Sequence, residues 1–185
     1  MAVNPSNLTI LRYPEPALRK RAADIAVPSD EVRAVARRMI ELMFEAEGIG
    51  LAAPQVGLPW RMFVCHVPPG DHRSAEADPP TATASPVIYI NPVLSGPAGS
   101  LEADEEGCLS LPDIRGDVYR PEIVTITATD LNGDRFTRTA GGLLARCWQH
   151  EYDHLDGVLI LDRMTQISRL KNRSAVRRLE RDSGL

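Results

Sequence analysis

The most constraining feature of this chain is the run Gln149-His150-Glu151-Tyr152-Asp153-His154. On an α-helix its two histidines lie one turn apart on the same face, where both imidazoles can reach one metal ion. Glu151 can then lie beside the open position of that ion and act as a general base towards a polarised water molecule. The pattern also occurs by chance, as two histidines that merely share a helix face. The rest of the chain must decide between these interpretations.

The residues around this run favour a helix. The segment Gly142 to Trp148 is apolar and contains no proline. Gly157 follows shortly after His154 and suits a left-handed C-terminal cap. Beyond it, the apolar residues Val158 to Leu161 predict a short return strand.

Length and composition indicate one globular domain over residues 1–185. Hydrophobic residues make up 43% and charged residues 25% of the chain, as in an ordinary soluble protein. The net charge of -4 argues against nucleic-acid binding over the whole surface. No segment approaches the roughly 18 consecutive apolar residues of a membrane span. We therefore expect neither a membrane association nor a specific DNA partner.

The N-terminus and the cysteines predict a cytoplasmic protein. Residues 1–21 lack the apolar stretch of a secretory signal. Cys65, Cys108 and Cys147 cannot all pair within the chain, and their number and scatter suit reduced thiols in a reducing compartment.

The first half of the chain combines an arm with a helix. Residues 4–28 contain several prolines and predict an extended arm with one helical turn around Leu18. From Asp30 to Glu47 apolar residues recur at three- and four-residue spacing, which predicts a core-packing helix. Ser29 or Asp30 can cap its start, and Gly48 ends it.

A run of small residues follows this helix, Gly48-Ile49-Gly50-Leu51-Ala52-Ala53-Pro54-Gln55-Val56-Gly57. Glycines permit another backbone to approach closely. Gln55 is the one polar side chain of the run, and an amide among apolar neighbours needs a hydrogen-bond partner. Taken alone, the run fits a tight loop between a helix and a strand.

The middle of the chain predicts strands at 61–67, 87–94, 118–130 and 135–139. Asn132-Gly133 between the last two favours a hairpin with a type I′ turn. Residues 68–86 are rich in proline, alanine and aspartate and predict a mobile loop.

Two further segments stand out. Cys108 lies in Glu105-Glu106-Gly107-Cys108-Leu109-Ser110-Leu111-Pro112, where a free cysteine could simply be a small buried hydrophobic residue. The tail, residues 166–185, predicts a basic helix whose arginines usually form a solvated face.

Three of these segments together resemble the signature motifs of peptide deformylase. They are Gly48-Ile49-Gly50-Leu51-Ala52-Ala53-Pro54-Gln55, Glu106-Gly107-Cys108-Leu109-Ser110 and His150-Glu151-Tyr152-Asp153-His154, in that order. The likeness extends from the N-terminal arm through the helix of the two histidines. It implies an α+β fold with antiparallel β-sheets packed around a central helix that carries the His-Glu-x-x-His motif.

The resemblance also implies a metal centre and a reaction. Cys108 would join His150 and His154 as ligands, with the fourth position left for water. The reaction would be hydrolysis of the N-formyl group from the formyl-methionine of newly made polypeptides. Glu151 would accept the proton of the attacking water and return it to the leaving amine.

The resemblance further implies how the substrate is held. The side-chain amide of Gln55 and the backbone N–H of Leu109 would stabilise charge on the formyl oxygen. The backbone around Ile49 and Gly50 and the chain after Cys108 would bind the substrate as an added strand. The methionine pocket would be lined by residues of two segments: Ile49, Leu143, Cys147 and the aliphatic part of Arg146. Many relatives have an apolar residue in place of Arg146, whose guanidinium we expect to reach water.

The donor set alone leaves the metal open. Cysteine and histidine ligands are ordinarily associated with zinc. The resemblance implies Fe²⁺ as the working ion, with Zn²⁺, Ni²⁺ or Co²⁺ able to occupy the site.

Two alternative functions and one further binding partner remain open. A zinc peptidase of the His-Glu-x-x-His kind would take its third ligand downstream, where Glu180 is the late glutamate available. A non-catalytic metal-binding module would have its fourth position closed by protein. The basic tail could also dock transiently to ribosomal RNA, near which formylated chains emerge.

Overall fold

The computed structural model describes residues 3–183 and shows one antiparallel sheet with helices packed against it. The strands follow one another in the order β1-β2-β3-β4-β5. Their bounds are β1 Gly50–Ala52, β2 Met62–Cys65, β3 Val87–Cys108, β4 Leu111–Thr129 and β5 Arg135–Gly141. The helices are α1 Asp30–Glu45, α2 Gly142–Leu155, α3 Ile160–Arg163 and α4 Gln166–Asp182. The predicted α+β class with antiparallel pairing is confirmed, although the strands form one continuous sheet.

The helix α2 lies at the centre of the fold. It contacts β1, β2, β4 and β5. Trp148 on this helix is almost fully buried and donates its indole N–H to the hydroxyl of Tyr89 at 3.0 Å. Because that N–H has a partner, the large ring can occupy the core without leaving a polar group unsatisfied. Packing of this kind fixes the rotation of α2, and with it the direction of every side chain on the helix.

Two helix ends form as the sequence predicts. The hydroxyl of Ser29 accepts a hydrogen bond from Val32 N at the start of α1. The apolar residues of α1 point into the core: Val32, Val35, Ala36, Met39, Leu42 and Met43 are buried. After α2, Gly157 has a φ of 73°, the left-handed conformation of a C-terminal cap.

Three local predictions differ from the structure. The strand predicted at 87–94 continues to Cys108, because β3 pairs with β4 along almost its whole length. The segment Val158 to Leu161 leads into α3, where the carboxylate of Asp162 accepts from Leu159 N and stabilises a helix start. The hairpin is present but has a five-residue loop, since its last pair is Thr129 with Arg135.

The turn chemistry explains that longer loop. The carboxylate of Asp130 accepts hydrogen bonds from Asn132 N at 2.8 Å and Asp134 N at 3.0 Å. This arrangement needs positive φ only at Gly133, whereas a type I′ turn needs it at Asn132 as well. The side chain of Asp130 therefore overrides the Asn-Gly signal.

The predicted loop at 68–86 has no helix and no strand longer than a single bridged residue in this fully described segment. Its end is anchored, because the hydroxyl of Thr83 bonds to His66 Nδ1 at 2.9 Å. The carbonyl of Pro80 also accepts from Gly141 N at 3.0 Å. The mobility of residues 68–86 stays a prediction.

Membrane insertion finds no support in residues 3–183, where no helix is both long and apolar enough to span a bilayer.

The cap at Gly157 gives a test of the fold. A Cβ there would lie 2.5 Å from the carbonyl oxygen of Arg19, whereas a Cβ at Gly133 would meet nothing within 4 Å. Both glycines have positive φ. In urea unfolding we expect Gly133→Ala to cost about 1–2 kcal/mol and Gly157→Ala to cost about 3–4 kcal/mol. Equal losses would contradict the contact between the arm and the cap.

Candidate metal centre and catalytic cleft

Cys108, His150 and His154 come together where the end of β3 meets α2. One potential ligand atom from each lies within 4.8 Å of the other two, and Cys108 Sγ is 3.3 Å from His154 Nε2. Bond lengths of about 2.0–2.3 Å at a tetrahedral ion place such ligand atoms about 3.3–3.6 Å apart. Burial lowers the pKa of His154 well below its ordinary value, which favours the neutral imidazole that a metal binds. The three residues therefore fit a metal ion.

Glu106 orients the first of these histidines. Its Oε2 lies 3.0 Å from His150 Nδ1, so this nitrogen donates and Nε2 is left free to bind a metal. Burial alone would raise the pKa of Glu106, but hydrogen bonds from Arg120 and His150 outweigh it and hold that pKa well below its usual range. Glu106 is consequently a permanent anion in a site where it is 5% exposed.

A buried network of charges continues from Glu106. Arg120 donates to both Glu106 oxygens, at 2.6 and 2.9 Å, and also to Asp153 at 2.9 Å. Asp153 in turn accepts from Arg163 at 2.7 and 3.1 Å. The sequence motifs do not mark Glu106, Arg120 or Asp153 as site residues. One signal was available, since Arg120 occupies an inward position of β4, two residues after the buried Val118.

Glu151 lies on the cleft side of α2. It is 4% exposed, and its Oε2 has no hydrogen-bond partner among residues 3–183. A Cβ at Gly50 would lie 2.3 Å from Glu151 Oε1, so the glycine makes room for this carboxylate. Burial raises the pKa of Glu151 to about 7. A carboxyl group with such a pKa can both take up and release a proton near neutral pH.

Gln55 presents its amide N–H₂ group towards the candidate ligand Cys108. Its Oε1 accepts from Ala52 N at 2.8 Å, which fixes the orientation of the amide. Its Nε2 is therefore directed at Ser110 Oγ, 3.2 Å away, and Cys108 Sγ, 3.6 Å away. Leu109 follows Cys108 in the turn between β3 and β4.

One cleft of about 490 Å³ is lined by Cys108, His150 and Glu151, whereas His154 is not part of its wall. All five residues predicted to bind substrate lie in its wall: Ile49, Gly50, Leu143, Arg146 and Cys147. The wall also contains most of the predicted metal and catalytic residues: Gln55, Cys108, Leu109, His150 and Glu151. The structure thus brings together residues from three distant parts of the sequence.

The expectation for Arg146 is wrong in one respect. Its guanidinium does not reach water but donates to Glu106 Oε1 at 2.9 Å. It also donates to the backbone carbonyls of Val118 at 2.9 Å and Glu102 at 3.0 Å. A buried anion and two backbone carbonyls hold the charged group more firmly than solvent would.

Glu180 takes no part in this group. It lies exposed on α4 and accepts a hydrogen bond from the hydroxyl of Tyr13 at 2.9 Å. Within residues 3–183, only Cys108, His150 and His154 form a cluster with metal-ligand spacing. This geometry argues against the peptidase alternative, which needed Glu180 as third ligand.

Comparisons with known proteins agree on one family. The family model described as polypeptide deformylase matches residues 7–170. Peptide deformylase 2 of Gloeobacter violaceus is 48% identical over 147 residues, which cover 80% of this chain and 73% of that protein. The peptide deformylase of Acidobacterium capsulatum is 40% identical over 172 residues, covering 93% of this chain and 95% of the relative.

Solved structures give the same result. A plant peptide deformylase superposes with a TM-score of 0.85 at 36% identity, covering 96% of this chain and 91% of the other. The peptide deformylase from Synechococcus elongatus, solved in complex with actinonin, has a TM-score of 0.80 at 40% identity. That comparison covers 95% of this chain and 89% of the other.

Replacing the candidate thiolate ligand tests the metal centre. We expect Cys108→Ala to reduce Zn²⁺ affinity by several orders of magnitude, because two of the three ligands of the cluster in residues 3–183 remain. The matched variant Glu180→Gln should bind Zn²⁺ as the unchanged protein does. Competition with a chromophoric chelator measures both affinities. Loss of binding in Glu180→Gln alone would restore the peptidase alternative.

Proposed function

The chain belongs to the peptide deformylase family, and from this premise we propose that it hydrolyses the N-formyl group of formyl-methionine at the start of new polypeptides. One observation carries the proposal. The buried carboxylate of Glu151 lies in the same cleft as Cys108 and His150, and Gly50 leaves room for it. A base beside a metal-binding cluster is what amide hydrolysis by water requires.

Cys108, His150 and His154 would hold one divalent ion, and we propose Fe²⁺, with Zn²⁺, Ni²⁺ or Co²⁺ as substitutes. When bound, such an ion supplies a Lewis acid that acidifies water and polarises a carbonyl oxygen. Cys108 is only partly buried. An accessible thiolate ligand is open to oxidation, which is consistent with an air-sensitive enzyme.

Glu151 moves the proton of the reaction. It takes one proton from the attacking water, whose oxygen forms a bond with the formyl carbon. When the bond between that carbon and the methionine nitrogen breaks, Glu151 gives the proton to the leaving nitrogen. The products are formate and a polypeptide with a free methionine amine.

Gln55 and Leu109 stabilise the negative charge that develops on the formyl oxygen. The Gln55 amide is already oriented by Ala52 N, so its N–H₂ group needs no reorganisation when charge develops. The backbone N–H of Leu109 is the second donor, adjacent in sequence to Cys108.

The substrate backbone adds to the edge of β1. In the described sheet β1 pairs with β2 on one side only, and the cleft is lined by its first residue, Gly50, and by the preceding Ile49. An extended peptide can therefore hydrogen-bond to this edge as a further strand. The methionine side chain enters the pocket between Leu143, Cys147 and the stem of Arg146.

The helix α4 is a candidate contact with the ribosome. Arg173, Arg177 and Arg181 recur every four residues, share one face and are exposed. Cationic side chains on a continuous face suit the phosphates of ribosomal RNA, near which formylated chains emerge. We propose that the activity takes place in the cytoplasm, a compartment in which the three free cysteines would stay reduced.

The activity is tested with formyl-Met-Ala-Ser and protein purified without oxygen, with metal content read on the same sample. We expect release of formate, and a decrease of about 10²–10⁴-fold in turnover for Glu151→Gln with its metal retained. The exposed Glu47 also lines the cleft, and Glu47→Gln should stay within a few-fold of the unchanged protein. A fully metallated protein that releases no formate would favour the non-catalytic module.

The ribosome contact is tested by reversing charge on α4. Co-sedimentation with ribosomes at low salt should fall for Arg173→Glu/Arg177→Glu. It should persist for Arg135→Glu/Arg138→Glu, which changes the same number of exposed charges on β5. Equal retention of ribosome binding in both double variants would exclude α4 as the contact.

A further inference from the structure

Arg146 joins the wall of the cleft to the residues that orient the candidate metal ligands. It lies on α2 one turn before His150 and lines the cleft, yet its side chain is only 10% exposed. If the pocket needed only an aliphatic wall, the guanidinium would have no reason to be buried. A buried charge persists in a protein only when it is paired and hydrogen-bonded.

The Arg146 guanidinium donates one of the four hydrogen bonds that the Glu106 carboxylate accepts. Oε1 of Glu106 accepts from Arg120 at 2.6 Å and from Arg146 at 2.9 Å. Oε2 accepts from Arg120 at 2.9 Å and from His150 at 3.0 Å. A carboxylate has about four lone-pair sites, so each one is used and Glu106 has no freedom to rotate.

The remaining hydrogen bonds of Arg146 attach α2 to the strands that carry Glu106 and Arg120. Its acceptors are the carbonyls of Glu102 on β3 and Val118 on β4. In the β3–β4 ladder Glu102 is paired with Arg120, the other arginine on Glu106. The planar guanidinium therefore connects one helix, two strands and the carboxylate through three directed bonds.

We propose that Arg146 is a positioning residue for the metal centre. By holding Glu106 against His150 Nδ1, it keeps the imidazole in the orientation that presents Nε2 to a metal ion. The proposal rests on the function proposed above, in which His150 is a metal ligand. It assigns Arg146 a role besides that of pocket wall.

The sign of the effect separates positioning from a simple charge effect. Removing a nearby positive charge should by itself tighten the binding of a cation. Removing a group that orients a ligand should weaken it, by about 10-fold for partners that act through a ligating histidine. The direction of change in metal affinity therefore discriminates between the two roles.

The test compares Arg146→Met, Arg146→Lys and Arg163→Met. Methionine keeps an aliphatic wall, and lysine keeps the charge without the planar fork. Arg163 is the matched control, because it joins the same network only through Asp153 and is half exposed. The readouts are Co²⁺ affinity against a chelator, the visible absorption of the Co²⁺ form, and kcat and KM for formyl-Met-Ala-Ser.

We expect Arg146→Met to weaken Co²⁺ binding about 10-fold, to alter the Co²⁺ absorption and to lower kcat more than it raises KM. Arg146→Lys should restore part of the affinity, since an ammonium can still bond to Glu106. Arg163→Met should leave affinity and absorption unchanged. If Arg146→Met does not fold, the Co²⁺ affinity and absorption of Arg146→Lys still show the effect of losing the planar guanidinium.

Three results would overturn the proposal. Tighter Co²⁺ binding in Arg146→Met would assign the residue a charge effect only. Unchanged Co²⁺ affinity and absorption with an altered KM would show that Arg146 serves only as part of the pocket wall. Equal losses in Arg163→Met would indicate a general loss of network stability. Should the unchanged protein bind Co²⁺ but release no formate, the proposed function fails while the metal readouts still decide the role of Arg146.

Discussion

The carboxylate of Glu106 is the interaction on which the rest of the site depends. It is buried, and it bonds to Arg120 on β4 and to Arg146 and His150 on α2. Breaking a buried charge pair by removing one partner costs about 3–5 kcal/mol, because an uncompensated charge remains. The same bonds that hold the helix on the sheet therefore also set the direction of the His150 ring. Stability and site geometry have one physical source here.

Two carboxyl groups in this site have pKa values that their surroundings shift in opposite directions. Glu106 accepts from two guanidinium groups, and its hydrogen bonds from Arg120 and His150 keep it ionised. Glu151 bonds to no guanidinium group, and burial raises its pKa to about 7. Glu106 can therefore serve only as a fixed acceptor, whereas Glu151 can exchange a proton. Different environments for neighbouring carboxyl groups are a common way to divide the roles of acid–base chemistry.

Local signals in the sequence were sufficient for several elements. The cap at Ser29 and the left-handed Gly157 depend on residues close by in the chain, and both form as predicted. The three deformylase motifs also located the cleft, since their residues line it together. Short-range chemistry could mislead as well, because the Asp130 side chain replaced the turn that Asn132-Gly133 predicts.

Long-range pairing could not be read in the same way. Arg120 lies fourteen positions from Glu106 in the sequence, and Arg146 lies forty positions from it. No local pattern therefore indicates that both arginines bind one carboxylate. The burial of the Arg146 guanidinium depends on that partner and on two strand carbonyls that only the folded ladder provides. Family likeness placed Arg146 in the pocket wall, but its bonds became apparent only from the structure.

X-ray absorption of the zinc-loaded protein tests the metal centre most directly. Cys108, His150 and His154 should give one sulfur at about 2.3 Å and two imidazole nitrogens at about 2.0–2.1 Å, with a light atom from solvent completing the shell. A shell without sulfur would contradict Cys108 as a ligand. A fourth ligand from the protein would close the position that catalysis needs and would contradict a hydrolytic site.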